Sequence, residues 1–128
     1  MSAARLPFMR LQPAEDRPAV EAAIRRVIDR GWFVLGPEVE AFEQAFARLC
    51  GTRHAIGVGT GTDAIAIILR GLGIGAGDEV ITTPLSAAYS ALACMMAGAR
   101  PVFADLDPER LTLDPAAVEA AITPRTAA

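Results

Sequence analysis

The sequence contains no lysine: all 12 basic side chains in its 128 residues are arginines. Any chemistry that needs a side-chain amine as nucleophile has no such group here. Histidine is nearly absent too, with His54 alone, and the two cysteines are Cys50 and Cys94. That inventory speaks against a structural zinc site, a Ser-His-Asp centre and a disulfide framework. Both cysteines fall in apolar helical settings, so reduced core thiols of a cytoplasmic protein are expected. No basic footprint exists, since the net charge is −3, and a nucleic-acid partner is not expected. The longest apolar run, residues 87–99, holds a tyrosine, a serine and a glycine and is too short to span a bilayer. Met1–Arg10 has arginines but no apolar segment of the signal-peptide kind. No membrane partner is expected.

What is present is an apolar, alanine-rich chain long enough for one core. Residues 1–13 read as an irregular N-terminal arm, and residues 14–128 as one α/β portion. Asp16-Arg17-Pro18 starts a helix, with Asp16 as its cap and Gly31 as its stop. Val20, Ala23, Ile24, Val27 and Ile28 recur at helical spacing along it. Trp32–Leu35 is a short, very apolar link that suits either core packing or burial against a second subunit. A second helix begins at Gly36-Pro37-Glu38 and closes at Gly51, with Val39, Phe42, Phe46 and Leu49 on one face. After it come a strand at 55–58, a helix at 63–72, a strand at 80–83, a helix at 86–97 and a strand at 100–105. A last short helix follows a cap within Thr112–Pro115. Two helices followed by β-α-β-α-β-α imply a parallel sheet built from crossover units.

The stretch with chemical content is His54–Asp63, HAIGVGTGTD. A short apolar run passes through glycines and threonines into an apolar helix. The unpaired N–H groups and positive dipole end of such a helix seat an anion, most often a phosphate. The spacing alone equally allows an ordinary βα connection with no ligand. Thr62 is the expected N-cap. The loop is not a P-loop, which requires a lysine, nor GxGxxG, because Thr62-Asp63-Ala64 supplies no third glycine. In a parallel sheet ligands sit at the C-terminal strand ends, here Gly59–Asp63, Thr83–Ser86 and Asp105–Asp107. Three loops converging on one edge favour a phosphate-bearing ligand.

Five collinear stretches resemble the DegT/DnrJ/EryC1/StrS family of pyridoxal-phosphate-dependent sugar aminotransferases. They are LGPEVEAFEQAFA (35–47), HAIGVGTGTDAI (54–65), GIGAGDEVITTP (73–84), AGARPVFADLDPE (97–109) and TLDPAAVEAAITPRT (112–126). The resemblance implies the N-terminal part of a fold-type-I large domain, a parallel βαβαβ core preceded by two helices. It also implies a homodimer with active sites at the subunit interface, and amino transfer from glutamate or a related donor to a nucleotide-linked keto sugar. Carried onto this chain, it assigns the cofactor phosphate to Gly61, Thr62 and Asp63, with the Asp63 N–H acting and its carboxylate turned away. Ser86 matches a Thr/Ser that bonds cofactor or substrate, or else caps the next helix. Ala87 stands where many members carry a ring that stacks on the pyridine. Tyr89, two residues on, either replaces that ring or, the favoured reading, faces the core as a helix residue. The lysine that forms the Schiff base and the aspartate that pairs with the pyridinium nitrogen belong to later segments of longer members. These 128 residues alone are therefore expected to be inactive and to bind pyridoxal phosphate weakly or not at all. The alternative is a truncated, non-catalytic assembly or binding module that pairs through Trp32–Leu35.

Overall fold

The computed structural model describes residues 16–128, which form two compact units divided between Gly57 and Val58. The expected arm at 1–13 lies outside the described residues. In the first unit, α1 spans Arg17–Arg30 and α2 spans Pro37–Cys50. Pro18 sits in the first turn of α1, where its missing N–H costs nothing. Asp16 stands at the N-cap in helical geometry, and its side chain makes no cap bond. Pro37, Glu38 and Glu40 open α2, placing two carboxylates at its positive end. Each helix closes on a left-handed glycine, Gly31 and Gly51.

One polar clamp joins the two helices. The Arg26 guanidinium donates to both oxygens of Glu38, at 3.0 and 3.1 Å, and Arg30 lies 3.8 Å away. The hydrogen bond from Arg26 holds the Glu38 carboxyl below the usual carboxylate range. The apolar faces read from the sequence are present but uncovered. Ile24, Ile28, Phe42, Phe46 and Leu49 are exposed, with the Phe42 and Phe46 rings stacked at 5.6 Å. Trp32, Phe33, Val34 and Leu35 are exposed as well. Cys50 is exposed rather than core, because it ends α2, whose only buried residue is Ala47.

Residues 55–58 do not form the expected strand. A strand needs its N–H groups free for a ladder. Here the Gly57 N–H donates instead to Glu43 Oε1 at 2.6 Å, and Ile56 is 81% exposed.

The second unit carries α3 (Gly61–Gly71), β1 (Glu79–Thr82), α4 (Tyr89–Ala97), β2 (Arg100–Phe103) and α5 (Pro115–Ala121). The two strands pair in parallel, from Glu79 opposite Arg100 to Thr82 opposite Phe103, with α4 as the crossover. The other edge of β1 is also occupied. The Glu79 N–H donates to Arg125 O, while the Ala127 and Ile81 N–H groups pair with Glu79 O and Ala128 O, all at 2.8–2.9 Å. The parallel α/β class read from the sequence thus holds, with β1 in the middle of a smaller sheet. Leu69 of α3, Ile74, Val80, Cys94 and Ala99 form its core. Ala66 and Ala93 are buried, and small side chains at these points let α3 and α4 pack closely. Helix α4 starts three residues later than expected, after an irregular stretch at 83–88. Helix α5 is capped by Asp114, which accepts from the Ala116 N–H at 3.0 Å.

Glu79 is the one buried charged residue among those described, at 3% exposure. Its carboxylate accepts from the Thr123 hydroxyl and, at 2.7 Å, from Arg125, with Arg100 at 3.5 Å. The Thr123 hydrogen bond first, then Arg125, holds its carboxyl below the usual range. A depressed folded-state pKa stabilises above the unfolded value of roughly 4.3, and that stabilisation is lost as pH falls through the folded value. Glu79→Gln is therefore expected to lower the thermal midpoint at pH 7. Midpoints measured from pH 7 to pH 3 should show variant and wild type converging at the acid end.

Candidate functional site

The N-terminus of α3 is set by Thr60, which adopts extended backbone angles just ahead of the first helical residue. Its Oγ accepts from the Asp63 N–H at 3.1 Å, and its hydroxyl donates to Asp63 Oδ2 at 2.8 Å. The Thr60 side chain thus caps the helix, satisfying the orphan N–H of Asp63, and its hydroxyl bond to the Asp63 carboxylate pins the helix entry. Thr60, not Thr62, is thus the N-cap. Thr62 already has helical geometry and cannot reach back across the first turn. The Asp63 N–H departs from expectation in the same way, whereas its carboxylate is absent from the cavity lining, as expected. Its N–H is taken by Thr60, so it is not open to an anion, and its carboxylate folds back onto the Thr60 hydroxyl. The spacing Thr60-Gly61-Thr62-Asp63 was the sequence signal for this cap.

Two donors remain. The N–H groups of Gly61 and Thr62, in the first turn, meet no acceptor among the described residues. They border a cavity of about 510 Å³, a size suited to a small organic ligand. Thr60, Gly61, Thr62 and Ile65 line it from the α3 side. Ser86, Ala87, Tyr89 and Ser90 line it from the loop after β1 and the start of α4. The structure therefore brings five of the six candidate residues to one cavity, Asp63 standing behind it as part of the cap. Ile65 and Ser90 are lining residues that the sequence reading did not single out.

Tyr89 is not a core residue. It opens α4 and is 63% exposed. Nor does Ser86 cap α4; that position falls to Ala88, which makes no side-chain bond. The third loop stays away from the cavity. Asp105 Oδ1 accepts from the Leu106 N–H, and Asp107 Oδ1 accepts from the Glu109 and Arg110 N–H groups, so both carboxylates serve their own turns. His54 lines a separate small hollow of the first unit with Glu40, Glu43 and Arg53. No cluster of three metal-ligating side chains occurs among the described residues.

The residues present fit a phosphate monoester. The positive end of a helix faces the cavity with two uncommitted N–H donors, and the one nearby carboxylate is already bonded. Gly61 adds a steric argument. Its backbone is not in the left-handed region, and a Cβ built there would meet no protein atom within 4 Å. Nothing in the packing of the described residues requires glycine at this point. Its bare backbone leaves room on the cavity side for an anion to approach.

Comparison with known proteins gives this arrangement its class. A family profile described as the DegT/DnrJ/EryC1/StrS aminotransferase family matches residues 15–128. The chain belongs to that family, whose members are pyridoxal-phosphate-dependent aminotransferases. The dTDP-3-amino-3,4,6-trideoxy-alpha-D-glucose transaminase of Streptomyces venezuelae is 51% identical, over 97% of this chain and 33% of the relative. A crystal structure of S. venezuelae DesV, in complex with a ketimine intermediate, superposes with a TM-score of 0.82. It is 52% identical, covering 88% of this chain and 30% of that one. NtdA from Bacillus subtilis, solved with bound cofactor PMP, gives a TM-score of 0.88 at 32% identity, covering 98% and 30%. The chain spans about a third of the length of the curated relatives it matches.

The two threonines are separable by experiment. Thr60→Ala removes the cap and is expected to cost about 1 kcal/mol in denaturant unfolding. Thr62→Ala, which breaks no side-chain hydrogen bond among the described residues, should stay within roughly 0.5 kcal/mol of wild type.

Proposed function

We propose that these residues form the cofactor-phosphate cradle of a nucleotide-sugar aminotransferase, working in the cytoplasm as a homodimer. The observation that carries the reading is the pair of uncommitted N–H groups at Gly61 and Thr62, opening onto a cavity where glycine leaves space. Pyridoxal 5'-phosphate, when bound, supplies the electron sink for chemistry at the carbon bearing the amino group. The residues of this chain bind and orient. The Gly61 and Thr62 N–H groups and the Thr62 hydroxyl donate to the phosphate, and Thr60 holds their helix turn still through its bonds to Asp63. Ser86 offers a hydroxyl from the facing loop to cofactor or substrate. The proposed substrate is a keto sugar on a nucleotide carrier, with glutamate or a related amino acid as donor; a relative named as a dTDP-aminosugar transaminase supports the sugar-nucleotide part of that reading. With no lysine among the 128 residues, the covalent anchor of the cofactor is assigned to a part of the protein beyond them. Free thiols at Cys50 and Cys94 agree with a reducing compartment, and no helix of the described residues is long and apolar enough to cross a membrane.

One observation favours a second role beside the first. Trp32, Phe33, Val34 and Leu35 present a continuous apolar segment to solvent. A contiguous surface of that kind suits burial against another subunit, as the homodimer requires. A non-catalytic assembly module would use the same segment without the cradle.

Cofactor binding by the full-length protein tests the cradle. Gly61→Ala introduces a methyl into the phosphate's space and should weaken pyridoxal phosphate binding roughly tenfold, about 1.4 kcal/mol. Urea unfolding of the same variant should show no loss of stability, because alanine is the better helix residue. Affinity unchanged in both Gly61→Ala and Thr62→Ala would overturn the assignment.

A further inference from the structure

One side chain at the anion seat carries the wrong charge for it. Asp63 places a carboxylate at the third position of α3, beside the turn that offers the Gly61 and Thr62 N–H groups. Its Oδ2 lies 2.8 Å from the Oγ of Thr60, a residue that lines the cavity. The same oxygen rests against the Gly59 backbone, where an added Cβ would come within 3.2 Å of it. The carboxylate is thus held one residue behind the cavity wall. A hydroxyl donor satisfies its oxygen but leaves its charge in place. Among the described residues Asp63 makes no ion pair, in contrast to Glu79, which Arg125 and Arg100 both reach. None of the eight described residues that line the cavity carries a charge of its own.

A helix N-terminus carries about half a positive elementary charge, against the whole negative charge of a carboxylate. Two neighbouring N–H donors reward one phosphoryl group at hydrogen-bond range. The carboxylate repels every further negative charge at longer range. We propose that Asp63 is a specificity-determining residue, its fixed charge making the seat accept a phosphate monoester and reject a diphosphate. This rests on the cradle reading above and adds to it the class of anion admitted. The selection matters because such a protein meets two phosphate-bearing molecules, a cofactor monoester and a sugar on a nucleotide carrier. The sugar named for the transaminase relative is carried on dTDP, a nucleoside diphosphate. Repulsion set against the wrong ligand is a general route to specificity. The same carboxylate stabilises the empty helix end, which offsets what it costs in anion affinity.

Calorimetric titration of the full-length protein without cofactor tests this, with inorganic phosphate and pyrophosphate as probes and no divalent cation present. Wild type should bind phosphate more tightly than pyrophosphate. Asp63→Asn keeps an oxygen for the Thr60 hydroxyl and removes the charge. It is expected to tighten phosphate about threefold and pyrophosphate roughly tenfold. Asp63→Ser, a second neutral variant, should shift the preference the same way, and Asp63→Glu, which keeps the charge, should retain the wild-type preference. Salt screens charge, so the wild-type preference for phosphate should shrink as salt is raised, while that of Asp63→Asn stays flat. A change in helix stability alone would move neither the preference between two probes nor its salt dependence. Gly61→Ala should weaken both probes, because it acts on the seat itself. If wild type binds both probes alike, if the neutral variants gain equally on both or on neither, or if the wild-type preference ignores salt, selection by Asp63 is overturned. The cradle still stands in those cases when Gly61→Ala weakens phosphate. If Gly61→Ala changes neither probe, the cradle itself fails.

Discussion

A single buried carboxylate ties the second unit together. Removing a charge from water is costly unless donors surround it, and Glu79 is surrounded. Thr123, Arg125 and Arg100 all reach its oxygens, while its own N–H and C=O pair with the segment after α5. Those bonds fix the register of β1 against both of its neighbours. The far end of β1 leads directly into the loop of Ser86 and Ala87. One polar knot at the base of the strand therefore settles where the cavity wall begins.

The remaining wall comes from helix packing. Ala66 and Ala93 bring α3 against α4, Leu69 and Cys94 fill the space toward Val80, and Arg70 donates to the Met96 carbonyl at the end of α4. Burial in that core pushes the Cys94 thiol up from its usual range, as expected of a thiol that serves packing rather than chemistry. With both helices locked, the N-terminal turn of α3 and the first turn of α4 border the same hollow. The site is then a by-product of rigid elements: bare donors on one side, a ring on the other. Its chemistry needs no charged side chain at the wall, because the helix end itself supplies the positive potential.

Much of this was legible in the residues. Helix limits followed from Pro18, Gly31, Pro37 and Gly51, whose backbone preferences are local and strong. The parallel pairing followed from apolar runs separated by a helical segment. The bare first turn of α3, with the Gly61 and Thr62 N–H groups meeting no acceptor among the described residues, followed from glycines and threonines ahead of an apolar helix. What could not be read was decided by tertiary bonding. Residues 55–58 have strand-like composition, but the Glu43 carboxylate claims the Gly57 N–H, a contact fourteen positions away that no local pattern announces. Tyr89 has the spacing of a core residue, yet it opens α4 exposed at the cavity. Thr60 and Thr62 compete as caps at nearly equal propensity. The reach to the Asp63 N–H decided between them, and it also withdrew Asp63 from the set of open donors. Exposed Cys50 followed from its place at a helix end, where apolar neighbours in sequence are not neighbours in space.

The central claim is that two particular backbone N–H groups receive the phosphate. The most direct measurement is amide chemical shift in the isotopically labelled full-length protein, titrated with pyridoxal 5'-phosphate. The account predicts that the Gly61 and Thr62 amide protons move strongly downfield on binding, as donors to an anion do. The Asp63 amide should move little, because Thr60 already holds it. Gly61 and Thr62 amides that stay in place at saturation, or an Asp63 amide that moves most, would contradict it.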